Sequence, residues 1–174
     1  NYLRDCVQRF GLPISSLHSP FVPNVAGWGP DPLTRLRNTV KVAEQVGARH
    51  VVVHPPFRVV DFMLSIPMRD KVYRFGIPAS RDGHFRKFLL DDLPTFESES
   101  PVKVCVENLP ARRMLGRRFD VYQLNTLDAQ SQFAHLTMDT THLGTWGTDI
   151  LDWYERLKGK IVHFHLSNFN GREH

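Results

Sequence analysis

Five stretches of this chain end, one after another, in a side chain able to ligate a metal ion or carry a proton. Pro13-Ile14-Ser15-Ser16-Leu17 runs into His18, Val51-Val52-Val53 into His54, and Val102-Lys103-Val104-Cys105-Val106 into Glu107. Leu136-Thr137-Met138 then runs into Asp139, and Ile161-Val162-His163-Phe164 into His165. Brief, mainly apolar runs of this kind read as strands. The steps between their ends are 36, 53, 32 and 26 residues, close to one strand-plus-helix unit each, the longest absorbing an extra loop. Parallel strands spaced this way deliver their terminal groups to one rim, where a barrel of alternating strands and helices keeps its chemistry. The predicted class is α/β, a (β/α)8 barrel. A complete barrel needs roughly 250 residues. The 174 residues present are therefore expected to be about strands 2 to 6 of a single domain, 1–174, truncated at both ends.

Helical patterns fall between the strands, as a parallel sheet requires. Asp31-Pro32 is an N-cap followed by proline at the first helical position. Leu33, Leu36, Val40, Ala43 and Val46 keep helical spacing, and Gly47 supplies the stop. Residues 84–98 read as a second helix with Phe85, Phe88, Leu89, Leu93 and Phe96 on one side, kinked or shortened by Pro94. Others are predicted from Leu124 to Phe133 and from Thr148 to about Gly159. Residues 55–83, punctuated by Pro, Gly and Arg, read as a long loop or lid.

Composition narrows the partners. The net charge of +4 is spread without a dense Lys/Arg run, which disfavours nucleic acid. No apolar stretch approaches the roughly 18 residues of a membrane span. The opening residues lack a signal-peptide pattern, and Cys6 and Cys105 share no metal-type spacing. A reduced, cytoplasmic protein is the expectation, and self-association into a homo-oligomer is left open.

Taken singly, each strand-end group has an ordinary structural explanation, such as capping a loop. Asp139-Thr140-Thr141-His142 is more pointed, because a carboxylate and an imidazole three residues apart can face one cavity. Their mixture suits zinc, manganese or iron-type ions, although an Asx-type turn would use the same residues. In His163-Phe164-His165 both imidazoles share one strand face. His165, nearer the rim, is the expected ligand and His163 a support one layer deeper. Arg112, Arg113, Arg117 and Arg118 form a basic loop after Glu107 that suits either a phosphate or solvent. Trp28 and Trp146 lie in rim loops, where packing is the default.

Several short motifs fall in a recognisable order: His18-Ser19-Pro20-Phe21, Val53-His54-Pro55, Val106-Glu107-Asn108, Met138-Asp139-Thr140-Thr141-His142 and His165-Leu166-Ser167-Asn168. In this the chain resembles the xylose isomerase-like TIM barrels, which include sugar isomerases and epimerases and the endonuclease IV type of DNA-repair enzyme. The resemblance to the isomerases implies one divalent metal (Mn, Mg, Co or Zn) and no organic cofactor. Glu107, Asp139 and His165 match three of its ligands, and the fourth, a last-strand glutamate, would lie beyond residue 174. It also implies a sugar or sugar phosphate substrate, with proton transfer beside a metal-chelated carbonyl through an enediolate-like intermediate. Glu107 would move the proton, and His54 and His142 would orient the sugar oxygens. The endonuclease resemblance adds His18, His54, His142 and His174 as ligands of further zinc ions. That branch carries an aspartate two residues before the last histidine, whereas Arg172 stands here. The sugar isomerase or epimerase is thus the leading expectation. A zinc phosphodiesterase is the alternative, and a lyase-type or non-catalytic barrel is the second.

Overall fold

The computed structural model of the chain describes residues 2–21, 26–58, 62–68, 71–77, 83–114 and 116–167. Five strands form one parallel sheet whose spatial order is also chain order. They are β1 (Ser16–His18), β2 (His50–Val53), β5 (Lys103–Glu107), β8 (Leu136–Asp139) and β9 (Ile161–His165). Each crossover is a helical connection, as parallel neighbours require. The sheet is a half-barrel, part of the (β/α)8 barrel expected from the spacing of the strand ends.

Register explains which groups meet. Leu17 pairs with Val51, Val53 with Val106, and Glu107 with Thr137. The outward residues Val51, Val53, Val104, Val106, Leu136 and Met138 join the apolar core beneath the helices. Alternation then turns His18, Cys105, Glu107, Thr137 and Asp139 to the opposite, inner face. Between β8 and β9 the pairing steps from Leu136↔Ile161 to Thr137↔His163 and Asp139↔His165, leaving Val162 as an extra residue. That shift puts both β9 imidazoles on the same face as Asp139.

Helix α1 spans Tyr2–Phe10 and α2 spans Pro32–Val46. Asp31 caps α2 by accepting from the Thr34 amide at 2.9 Å and the Thr34 hydroxyl at 2.6 Å. Gly47 closes it at φ 76°, a left-handed conformation that costs glycine little. Leu33, Leu36, Val40 and Ala43 face the sheet as their spacing predicts. Burying each large apolar side chain fully stabilises the fold by about 1.5–3 kcal/mol.

Three expectations need correction. The segment around Pro94 is not shortened. Helix α3 (Gly83–Lys87) passes through a π-helical turn at Phe88–Asp92 into α4 (Leu93–Ser98). The Leu93 amide there donates to the Phe88 carbonyl, five residues back. The wider turn sets Pro94 in a new first turn, where no N–H is needed. The helix predicted from Leu124 is only α5, Leu127–Gln130, because Leu124 is left-handed at φ 56° and Thr126 caps the helix. Finally, residues 55–83 are not simply a loop. They contain an antiparallel hairpin, β3 (Phe62–Met68) with β4 (Lys71–Ile77), whose apolar period Pro67 and Gly76 interrupt. A second hairpin, β6 (Arg112–Met114) with β7 (Arg117–Phe119), carries the arginines. Helices α6 (Thr140–Trp146) and α7 (Ile150–Leu157) complete the order. None of the described helices is long and apolar enough to cross a membrane.

Candidate functional site

Glu107 lies at the centre of the inner rim, with its side chain almost wholly buried. Four imidazoles surround its two oxygens. His18 Nε2 and His54 Nε2 stand 3.2 and 3.0 Å from Oε2. His165 Nδ1 and His142 Nδ1 stand 2.9 and 3.4 Å from Oε1. Asp139 Oδ2 closes the group, 3.6 Å from His165 Nδ1 and 3.7 Å from His142 Nδ1. Groups separated by as many as 89 positions in sequence therefore converge on one carboxylate.

Local structure places each of them. His18, Glu107, Asp139 and His165 are the final residues of their strands, and His54 follows β2 directly. Past β1 the chain is tied down by the buried Arg35 of α2. Its guanidinium donates to the carbonyls of Pro20 at 2.8 Å and Pro30 at 2.9 Å. Phe21 stacks on the His54 ring with centroids 4.9 Å apart. The Asp139–His142 stretch is not a mere turn. Asp139 caps α6 by accepting from the His142 amide at 2.8 Å, so the carboxylate and the imidazole are held one helical turn apart.

The electrostatics are those of an anion ringed by bases. Burial pushes the Glu107 carboxyl upward, but hydrogen bonds from His18 and His54 and the charges of His54 and His142 outweigh it. The net effect holds the carboxyl well below the usual carboxylate range. His18 shows the opposite balance. Burial lowers its basicity, yet hydrogen bonds to Glu107 and the Ser19 carbonyl raise it overall. His163, deeper on β9, is lowered by burial and by the neighbouring His165 and His50.

This donor set fits a divalent cation. The ligand atoms of His18, His54 and Glu107 lie within 4.8 Å of one another, as do those of Glu107, Asp139 and His142. His18 donates its Nδ1–H to the Ser19 carbonyl at 2.8 Å, which turns Nε2 toward the carboxylate. His142 gives Nδ1–H to the Asn108 carbonyl at 2.8 Å, and that same Nδ1 is the nitrogen that faces Glu107 and Asp139. His18, with one nitrogen fixed by a carbonyl and the other left basic toward Glu107, has the usual form of a metal-ligating histidine, whereas the nitrogen His142 turns to the carboxylates is its carbonyl-bound one. Without a cation, two lone-pair atoms would oppose each other at His18 Nε2 and Glu107 Oε2 unless the imidazole is protonated.

Comparison with known proteins adds the family. The model of the xylose isomerase-like TIM barrels matches residues 1–174. The chain belongs to that family. An uncharacterised protein of Mycobacterium bovis is 28% identical over 189 residues, covering 97% of this chain and 60% of the relative. One from Mycobacterium leprae is 27% identical over 184 residues, covering 94% and 58%. The chain thus spans about three fifths of the length of the curated relatives it matches. Among solved structures, a 3-keto-D-glucoside 4-epimerase from Escherichia coli superposes with a TM-score of 0.59 at 17% identity, covering 95% of this chain and 62% of the epimerase. At that identity the likeness speaks for the barrel fold.

Within this family member, six of the seven expected ligands, His18, His54, Glu107, Asp139, His142 and His165, lie around one centre. His174 and Arg172 lie outside the described residues. His163 is one layer below His165, with ring centroids 5.2 Å apart. The sequence pattern does not reveal what holds these groups in place. Asn108 enters it only as a motif neighbour, and Arg35 not at all. A buried arginine between hydrophobic helix positions 33 and 36 is the available signal.

Proposed function

We propose that this barrel is a sugar isomerase or epimerase that works with a divalent cation held by Glu107, Asp139 and the rim histidines. The observation that carries the reading is a single buried carboxylate shared by two donor triads at the open inner rim. The cation, when bound, would polarise a substrate carbonyl and acidify the adjacent C–H. Glu107 is ionised throughout the neutral range and would take the proton at Oε1 or Oε2, the imidazoles that depress its carboxyl keeping it ionised at the cost of base strength. His54 and His142 then orient the substrate hydroxyls, with His142 offering Nε2 as an acceptor because Nδ1–H is committed to Asn108. The β6–β7 hairpin sets Arg112, Arg113, Arg117 and Arg118 on the loop leaving Glu107, which favours a substrate with an anionic group. The family and the epimerase neighbour support this class of chemistry.

The test is turnover of free and phosphorylated ketoses, aldoses and keto-sugars by the full chain with manganese, magnesium or cobalt. Absence of any isomerisation or epimerisation across the panel overturns the proposal. One observation favours a second reading, a zinc phosphodiesterase. The His18–His54–Glu107 triad is complete without Asp139, as a second metal would need. Two bound zinc ions per chain together with nicking of an abasic duplex would establish it. A single ion with intact DNA would remove it.

A further inference from the structure

We propose that Asn108 is the positioning residue of this site, fixing three donor-bearing residues relative to one another without being a ligand itself. The β5–β8 ladder pairs Val106 with Leu136 and Glu107 with Thr137. Beyond that point the Asn108 side chain continues it. Its Nδ2 donates to the Asp139 carbonyl at 2.9 Å, and its Oδ1 accepts from the Asp139 amide at 2.8 Å. A side-chain amide thus does for Asp139 what the next peptide of β5 would otherwise do.

The substitution has a geometric purpose. Because the side chain carries the pairing, the backbone of residue 108 is free to turn, and its carbonyl accepts Nδ1–H of His142. The following residue is clamped in its turn. The Leu109 amide donates to Asn125 Oδ1 at 2.6 Å, and its carbonyl accepts from Asn125 Nδ2 at 3.1 Å and from the Trp146 indole at 2.9 Å. The chain therefore bends away immediately after Glu107, leaving that carboxylate at the strand terminus. One residue, 1% exposed, consequently sets Glu107 through the chain, Asp139 through two hydrogen bonds, and the His142 tautomer through its carbonyl.

No other side chain meets both demands. Aspartate accepts from the Asp139 amide but presents a carboxylate oxygen to the Asp139 carbonyl. Serine is too short to span both groups, and glutamine overshoots by a methylene. Loss of such supporting partners typically lowers metal affinity or activity 10–100-fold.

This inference rests on the reading of the rim as a metal site, and its test separates the two. Cobalt(II) is titrated into the full chain, following affinity and the visible d–d spectrum, for wild type, Asn108→Asp, Asn108→Ser and Asn125→Asp. Asn125 clamps the same loop through Leu109 and, among the described residues, hydrogen-bonds to none of the donor side chains, so it reports the purely structural effect. The expected result is a 10–100-fold loss of cobalt affinity with an altered spectrum for both Asn108 variants. Asn125→Asp should lower the melting temperature while cobalt affinity stays within about twofold. Equal losses at the two positions, or unchanged affinity in Asn108→Asp, would overturn the positioning role. If wild type takes up no cobalt, the metal reading fails. The role of Asn108 is then decided in the metal-free chain by nitrogen-15 shifts of His142. Those shifts should report a proton on Nδ1 in wild type and a tautomer mixture in Asn108→Ser, and identical tautomers would refute it.

Discussion

Replacing Glu107 by glutamine is the sharpest perturbation of this site, because the carboxylate belongs to both donor triads. The isosteric amide removes one negative charge while keeping the side-chain volume. A unit charge about 4 Å from a cation is worth about 4 kcal/mol per positive charge at an effective dielectric of 20. Even one such charge–charge interaction corresponds to about 1,000-fold in affinity at about 1.4 kcal/mol per decade, so for a divalent ion the loss should exceed that. The metal-free protein suffers as well. Its imidazoles stand 2.9 to 3.4 Å from the carboxylate oxygens, and removing the buried partner of charged groups costs about 3–5 kcal/mol. That cost should be larger near about pH 6, where His18, its basicity raised by the hydrogen bond to Glu107, is protonated, than near about pH 8. Competition with a chelating dye gives the affinity, and urea melts at the two pH values give the stability. A Glu107→Gln protein that retains metal within tenfold of wild type, with an unchanged melt, would show that Glu107 is not the centre.

Other outcomes follow from the same geometry. The Glu107 carboxyl is depressed from its ordinary 4.5, so its contribution to metal-free stability is complete above that value and is lost as pH falls through the acid range. His18 is raised from 6.5, so its contribution is complete below that value and is lost as pH rises through the raised one. Stability of the metal-free chain should thus peak between these two values in denaturant melts, and His18→Gln should flatten the alkaline limb. Asp31→Ala removes the cap of α2 and should cost about 1 kcal/mol without changing metal affinity, as read by urea melts and dye competition. Cys105 is buried, and burial with the nearby Glu97 charge pushes its thiol up to about 12. Under native conditions a thiol reagent should therefore label Cys6 and leave Cys105 unreacted until the protein unfolds.

The strands and their terminal residues were legible because each run stops at a chemically distinct group, and parallel topology admits few ways to arrange such ends. Convergence of His18, His54, Glu107, Asp139 and His165 followed from that alone, and His142 came with Asp139. Helix α2 was legible because its start, stop and apolar spacing all agree. What escaped were features decided by tertiary bonding. The hairpin at 62–77 is broken up in sequence by Pro67 and Gly76. The π turn lies just before Pro94, and single-residue propensities cannot express a helix that gains one residue per turn. The short helix α6 is hard to tell in sequence from a turn, since an aspartate accepts a nearby amide in both, two residues on in an Asx turn and three residues on in this cap. Asn108 and Asn125 were invisible as supports, since an asparagine after a strand ordinarily signals a loop.

The register step at Val162 makes the β9 end of the site a matter of counting. A pleated strand has only two sides, so the position of His165 relative to Asp139 is either right or inverted, with nothing between. Deleting Val162 itself would only erase the step, since His163 would follow Ile161 into its place opposite Thr137, whereas deleting Phe164 would slide His165 opposite Met138 and turn its imidazole outward. Substitutions along this strand can adjust the site by degrees. A change in its length by a single residue beyond the step removes His165 from it.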